Sequence, residues 1–145
     1  MSVVSVTQTL INSDAAAAAV QAAVAEATNI GVKINVAVVD PSGILMAFLR
    51  MPGAPLHSIN IAIDKAYTVA SFGLPTHLWQ DALKGHSVGV QDGLPRRPRF
   101  VGFGGGLPIM HNGACIGAIG VSGASEAQDQ QCAQAGLNAS GATGA

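Results

Sequence analysis

Lys33-Ile-Asn-Val-Ala-Val-Val-Asp40-Pro-Ser-Gly43-Ile-Leu-Met-Ala-Phe-Leu-Arg50 decides the fold class. Its first half is rich in β-branched residues and alternates in part, the pattern of a strand. Pro41-Ser42-Gly43 supplies a turn with Pro and Gly at favourable places. Ile44–Arg50 then reads as the returning strand. Strands joined by so short a turn pair antiparallel, because a parallel neighbour needs a long crossover. The stretch predicts a hairpin over residues 33–50 and argues against a doubly wound parallel sheet.

Upstream, Ser13 is placed to cap a helix that begins at Asp14. Ala15–Thr28 is nearly all strong helix formers, and Gly31 ends it. Its mostly alanine faces let another backbone approach closely. Downstream, Met51–Pro55 is a loop, and a helix is expected from Ser58 to Phe72, stopped by Gly73 and Pro75. A shorter helix fits Thr76–Leu83, and residues 84–98 read as an irregular loop of Gly, Pro and charge. Arg99–Phe103 and Leu107–His111 read as short strands flanking Gly104, Gly105 and Gly106. Asn112-Gly113 is a hairpin signal, with Cys115–Ser122 as the next strand. Ser125 and Gln128 match a capping box that opens a helix running to about Leu137. The small, polar residues 138–145 are expected to fray. The element order predicts one α+β domain over residues 1–137, with an antiparallel sheet of about five strands and helices on its faces.

Composition narrows the function. Apolar residues make up 49% of the 145, but aromatics only 4%, so the core is built from small and branched side chains. Charged residues are 10%, against about a quarter in a typical chain. Apolar surface that charge does not cover must be buried elsewhere, and a homo-oligomer is the simplest way. A net charge of −1 and a single short basic cluster, Arg96-Arg97-Pro98-Arg99, argue against nucleic acid. No apolar run reaches spanning length without Gly, Pro or charge, and Met1–Asp14 lacks a basic leader region, so a cytoplasmic protein without a membrane partner is expected. Cys115 and Cys132 form no CxxC and lack zinc spacing with the histidines; packed, reduced thiols are expected, with one disulfide as the alternative.

The triple glycine invites a phosphate reading and fails it. A Walker loop needs a Lys after its last Gly, and none follows. In a dinucleotide fingerprint the third Gly would fall at Leu107, and a helix would follow instead of Pro108 and a strand. The glycines are expected to allow positive φ and a bend at a sheet edge, with room for a ligand or a neighbouring copy to approach the backbone. In Ile116-Gly-Ala-Ile-Gly-Val-Ser-Gly123, close sheet–helix packing is favoured over anion binding, because Ser125, Glu126 and Asp129 already serve the helix start.

On a helix over residues 58–72, Lys65 falls at the margin of the apolar stripe. It must snorkel, find a partner or face a pocket. Two readings stay open: a structural ion pair or subunit contact, and a pocket cation that binds an anion or moves a proton. Arg50 ends a strand before the Met-Pro-Gly loop, and His57 sits near the helix start, so the loop can fold both toward Lys65. Arg50 would then grip a carboxylate, while His57 would ligate a metal or act as general acid–base, against the alternative of an exposed loop residue. Asp40 is expected to cap its turn. His77, His86 and His111 read as surface residues, and no HExxH or HxH spacing supports a built-in metal site. Arg96, Arg97 and Arg99 either meet carboxylates or form a solvated loop.

Several of these pieces occur in one order: Ala37-Val-Val-Asp40, Gly43, Arg50-Met51, Gly53-Ala54, Ile61-Ala62, Lys65-Ala66, Pro75-Thr76, Gly105-Gly106, Pro108, Ile116–Gly123, Glu126, Asp129 and Ala135-Gly136. Together they resemble the GlcG/HbpS-like family, also called the haem-degrading-domain family, which includes the C-terminal domain of PduO-type corrinoid adenosyltransferases. The resemblance covers about residues 8–137. It implies a profilin-like α+β fold and homo-oligomers, with haem or its degradation products as the ligand of some members. It carries no universal catalytic motif. The expected function is therefore small-ligand binding, with haem or another tetrapyrrole favoured. Arg50, Arg99, Gly104, Gly105 and Gly106 are the candidate contacts, and His57 is the best candidate iron ligand among the residue types that hold haem. The alternative is a catabolic enzyme for a small anionic or ring-containing substrate, with Lys65 or His57 moving a proton while Arg50 holds a carboxylate.

Overall fold

The computed structural model describes residues 2–143. Helix α1 spans Ser13–Asn29, followed by strands β1 (Asn35–Val39) and β2 (Leu45–Arg50) and helix α2 (Ser58–Phe72). A 3-10 turn at Thr76–Leu78, α3 (Trp79–Lys84), α4 (Val88–Gly93) and a second 3-10 turn at Leu94–Arg96 lead to β3 (Gly106–His111). Strand β4 (Ala114–Ser122) and helix α5 (Glu126–Ala139) complete the order. The sheet is antiparallel throughout, in the order β2-β1-β4-β3.

The hairpin forms as expected, with Ala37 opposite Phe48 and Asn35 opposite Arg50. Asp40 caps its turn: Oδ1 accepts from the Ser42 and Ile44 amides at 2.8 and 3.1 Å. Among the described residues the sheet has four strands, against the about five expected. The expected strand at Arg99–Phe103 is absent because a single side chain takes the hydrogen bonds a ladder would use. Thr68 Oγ1 donates to Arg99 O and accepts from the Val101 amide, each at 3.0 Å. Arg99 is thereby held at φ 66°, outside the strand region. Two smaller expectations also change. Asn12, not Ser13, caps α1, accepting from the Asp14 amide at 3.0 Å. Residues 84–98 contain α4, started by the Ser87 cap on the Val90 amide. The Ser125–Gln128 capping box forms in full.

Helices α1 and α5 cover one face of the sheet, and α2 covers the other. Ile34, Val36, Val38, Ile119 and Val121 face the α1/α5 layer with Ala16, Ala19 and Ala23. Val39 and Ala118 face Ala66 and Val69 of α2. Burying one such valine is worth about 1.5–3 kcal/mol. Glycine sets the layer spacing: a Cβ at Gly120 would lie 2.6 Å from the Ala66 nitrogen, so α2 rests directly on β4. Across the sheet, a Cβ at Gly136 would lie 2.7 Å from Ala19 O, which brings α5 equally close to α1.

The two sheet edges differ. Along β3, Pro108 has no N–H to offer and the Gly106 amide is spent on Thr76 Oγ1 at 2.8 Å. Strand β2 has no proline, and its only charged residue is Arg50. Residues 2–10 have no regular structure, and Val3, Val4 and Val6 are 83%, 97% and 88% exposed. This arm is pinned at its base, where the Ile11 amide donates to Ile116 O at 2.9 Å. At the other terminus, Thr143 accepts from the Asn112 amide and donates its own to His111 Nδ1. Of the tail expected to fray, residues 144–145 lie outside the described residues. Among the described residues, no helix is long and apolar enough to cross a membrane.

Candidate functional site

The triple glycine and Lys65 come together. Lys65 is completely buried, and its Nζ donates to Val121 O at 2.7 Å and to Asp129 Oδ2 at 3.2 Å. The ring of Phe103 stands over it, 5.0 Å from the nitrogen. Asp129 comes from the first turn of α5, and its Oδ1 accepts from the Ala124 amide at 2.9 Å. Burial opposes both charges. It holds the Lys65 ammonium below the ordinary lysine range against the pull of Asp129. It also lifts the Asp129 carboxyl above its ordinary range against the pull of Lys65.

The glycines close over this pair. The Gly104 amide donates to Glu126 Oε1 at 2.6 Å, Gly105 O accepts from the Val121 amide at 2.9 Å, and the Gly106 amide is held by Thr76. Gly105 has φ 130°, and a Cβ there would sit 2.6 Å from Lys65 Nζ and against Val121 O. The group that approaches the glycine backbone is thus the chain's own ammonium. All three glycines are buried. Lys65 forms an internal ion pair with Asp129.

Arg50 and His57 stand apart from Lys65. Register sets Arg50 opposite Asn35. Arg50 Nη2 donates to Ala54 O at 2.7 Å, and Asn35 Nδ2 donates to Pro55 O at 3.3 Å. The pair therefore ties down the loop between β2 and α2. Asn35 Oδ1 is buried without a partner among the described residues. His57 is exposed at the residue before α2, and its side chain makes no capping bond. Lys65 lies about two turns further along that helix. Helix α2 packs on β1, β4 and β3. The α2-facing side of β2 is left open, with Phe48 half-buried and Leu45 45% exposed, and Leu56 beside His57 is 74% exposed.

Arg99 lies at a third place. Its Nε donates to Asp64 Oδ1 at 2.9 Å, and its Cζ is 3.5 Å from the centroid of the Tyr67 ring. A cleft of about 220 Å³ beside it is lined by Phe72, Arg97, Pro98 and Phe100. A second cavity, of about 350 Å³, is lined by Gln80, Leu83, Pro95, Phe100, Gly102 and by Phe103, the ring that covers Lys65. His77 and His86 are exposed, and His111 is half-buried in its bond to the C-terminal segment. Among the described residues, no three His, Cys, Asp or Glu side chains converge to hold a metal ion. Both cysteines are free, and burial pushes the Cys132 thiol up to about 11.

Sequence reasoning did not assign Asp129, Thr76 or Glu126 to Lys65 and the glycines, although Glu126 and Asp129 had been noted at the helix start. It also passed over Thr68 and Asn35. The available signal was Asn35 itself, an amide heading the otherwise apolar run Val36–Val39; all five residues of that strand are buried.

These layers and this buried ion pair define a profilin-like α+β protein with an internally neutralised lysine. A family model described as "Haem degrading protein HbpS-like" matches residues 11–138. The chain belongs to that family. An uncharacterized 15.0 kDa protein of Citrobacter freundii is 41% identical over 120 residues, 81% of this chain and 83% of that protein. Corrinoid adenosyltransferase PduO of Salmonella typhimurium is 34% identical over 121 residues, which span 82% of this chain and 35% of PduO. GlcG of Escherichia coli is 32% identical over 119 residues, covering 80% of this chain and 84% of GlcG. The crystal structure of Klebsiella pneumoniae protein ORFY superposes with a TM-score of 0.88 at 34% identity, covering 99% of each chain. The crystal structure of a PduOC:Heme complex superposes with a TM-score of 0.84 at 31% identity, covering 92% of this chain and 97% of that one.

Proposed function

We propose that this chain binds haem or another tetrapyrrole on the open side of β2 next to the start of α2. The observation that carries this reading is the close match to PduOC, a relative crystallised as a haem complex. The residues present suit such a group. Leu45, Phe48 and Leu56 offer apolar surface to a macrocycle, and Arg50 offers a cation to a propionate. His57 offers an imidazole not engaged in helix capping. Bound haem would supply an iron centre. The chain's own part is to hold the ring edge, pair the propionate and present the imidazole.

Lys65, Asp129 and the glycines act apart from this surface, at the β4–β3 side of the sheet, as a brace. Their burial gives less support to the alternative, in which Lys65 moves a proton on a substrate. The open face is shallow, and a second copy would complete it. The exposed valines of residues 2–10 and the uncovered edge of β2 support a homo-oligomer. Removing residues 2–9 is expected to lower the mass measured by light scattering, and an unchanged mass would exclude the arm from the contact.

Titrating haem into the full chain tests the main proposal. The expected result is a shifted Soret band that saturates at a fixed ratio of haem to chain. A band that grows without saturating would be non-specific uptake and would overturn it.

A further inference from the structure

We propose that the cleft between the C-terminal half of α2 and residues 94–100 is a carboxylate subsite for an acid with a small, flat apolar body, with Arg99 as its anchor and Arg97 at its rim. The argument starts from the backbone. Arg99 has φ 66°, a conformation uncommon for a long side chain outside glycine-type positions. Thr68 enforces it by bonding the backbone on both sides, to Arg99 O and from the Val101 amide. The result is a side chain aimed in a fixed direction. The guanidinium lies on the Tyr67 ring, 3.5 Å from its centroid, and its Nε is taken by Asp64 at 2.9 Å.

A guanidinium carries five N–H groups, and Asp64 uses the one on Nε. The four on the terminal nitrogens have no partner among the described residues, and the side chain is 43% exposed. An aromatic floor and a carboxylate at the rear leave the terminal fork free. That fork is the geometry that takes a carboxylate through two parallel bonds.

The walls fix the rest of the ligand. Phe72 and Phe100 meet edge to face at 6.2 Å, and Phe100 meets Trp79 in the same way at 5.0 Å, so the aromatic wall is braced from behind. Pro98 adds a rigid apolar surface, and Arg97 adds a second cation. At about 220 Å³ the cleft is smaller than the roughly 300 Å³ where pockets for drug-sized ligands begin. It has room for a single ring or short branched chain and its carboxylate, and none for a whole macrocycle. The carboxylate can come from a free small acid or from the propionate arm of a larger ring. The subsite does not depend on haem binding elsewhere on the chain.

The test uses the full chain with sodium benzoate as probe and benzyl alcohol as its uncharged counterpart, read by aromatic resonances of Phe72 and Phe100. Benzoate is expected to shift them saturably, and benzyl alcohol at the same concentration is not. Arg99→Gln is expected to weaken benzoate at least tenfold. Arg97→Gln changes an exposed side chain and keeps the Thr68 brace; it is expected to weaken benzoate several-fold in a chain that is still folded. Equal shifts from both probes, or a benzoate affinity unmoved by both variants, would overturn the proposal. Competition by haem but not by its dimethyl ester assigns the carboxylate to a propionate, and competition by neither assigns it to a free acid. Displacement by the diester as strong as by haem would mean that the subsite does not read a carboxylate.

Discussion

Lys65 Nζ and Asp129 Oδ2 meet at 3.2 Å beneath the triple glycine, with the lysine side chain wholly buried and the aspartate nearly so. This contact joins α2 to α5 across the end of β4, two helices on opposite faces of the sheet. Removing one partner strands the other charge away from water. Lys65→Met is therefore expected to lower unfolding free energy by about 3–5 kcal/mol. Lys65→Met with Asp129→Leu should recover part of that loss, since the double variant buries no lone charge. Urea unfolding of both single variants and the double variant measures the coupling, and strictly additive losses would contradict the pair.

The pair also sets a pH dependence. Burial holds the folded Lys65 ammonium below its ordinary value of 10.5, so above that lowered value the unfolded chain binds more protons than the folded one. Stability referenced to Lys65→Met is then expected to rise with pH between the lowered value and 10.5. Asp129 acts at the acid end. Its carboxyl is lifted above 3.8, so the folded chain binds more protons there, and stability referenced to Asp129→Asn is expected to fall as pH rises from 3.8 through the lifted value. Denaturant midpoints across both ranges are the measurement, and two flat differences would contradict the shifts.

Gly105 carries the closest approach in the site. Gly105→Ala would place a methyl group beside Lys65 Nζ and Val121 O at a φ of 130°. A loss of about 3 kcal/mol or more is expected, in the range of buried clashes and backbone strain. Gly113→Asn is the control. Gly113 also has positive φ, but a Cβ there meets nothing within 4 Å, so the change should cost under about 1 kcal/mol. Equal losses at the two positions would show that conformation alone, without the contact, explains the glycine.

The fold was legible where local chemistry and tertiary structure agree. Alternation and the Pro-Ser-Gly turn mark the β1–β2 hairpin, and the capping box marks α5. The strand expected at Arg99–Phe103 failed because Thr68, some 30 residues earlier, takes its backbone bonds; no local pattern encodes that contact. The site divides in the same way. Position on the helix singled out Lys65 as awkward, and the triple glycine announced a close approach. That these two features answer each other, with Asp129 as counter-ion, depends on packing between distant elements. Arg50 and His57 looked as though they could fold toward Lys65. The loop between them is instead tied back through Ala54 O and Pro55 O, at the start of α2 and about two turns from Lys65.

Cys132 and Cys115 should react differently. The Cys132 thiol is buried and pushed up to about 11, whereas Cys115 is half-buried. Iodoacetamide at neutral pH is expected to label Cys115 first and Cys132 only in denaturant. Mass spectrometry of the labelled peptides decides the order, and prompt labelling of Cys132 in the native chain would contradict its burial.

The central claim is that the open face of β2 and the start of α2 hold a tetrapyrrole through His57 and Arg50. Its most direct test compares haem affinity, read from the Soret band, in the wild-type chain, His57→Ala and Arg50→Ala, with circular dichroism confirming that each is folded. The account predicts an altered Soret position in His57→Ala and an affinity at least tenfold weaker in both variants. Three superimposable titrations would contradict it.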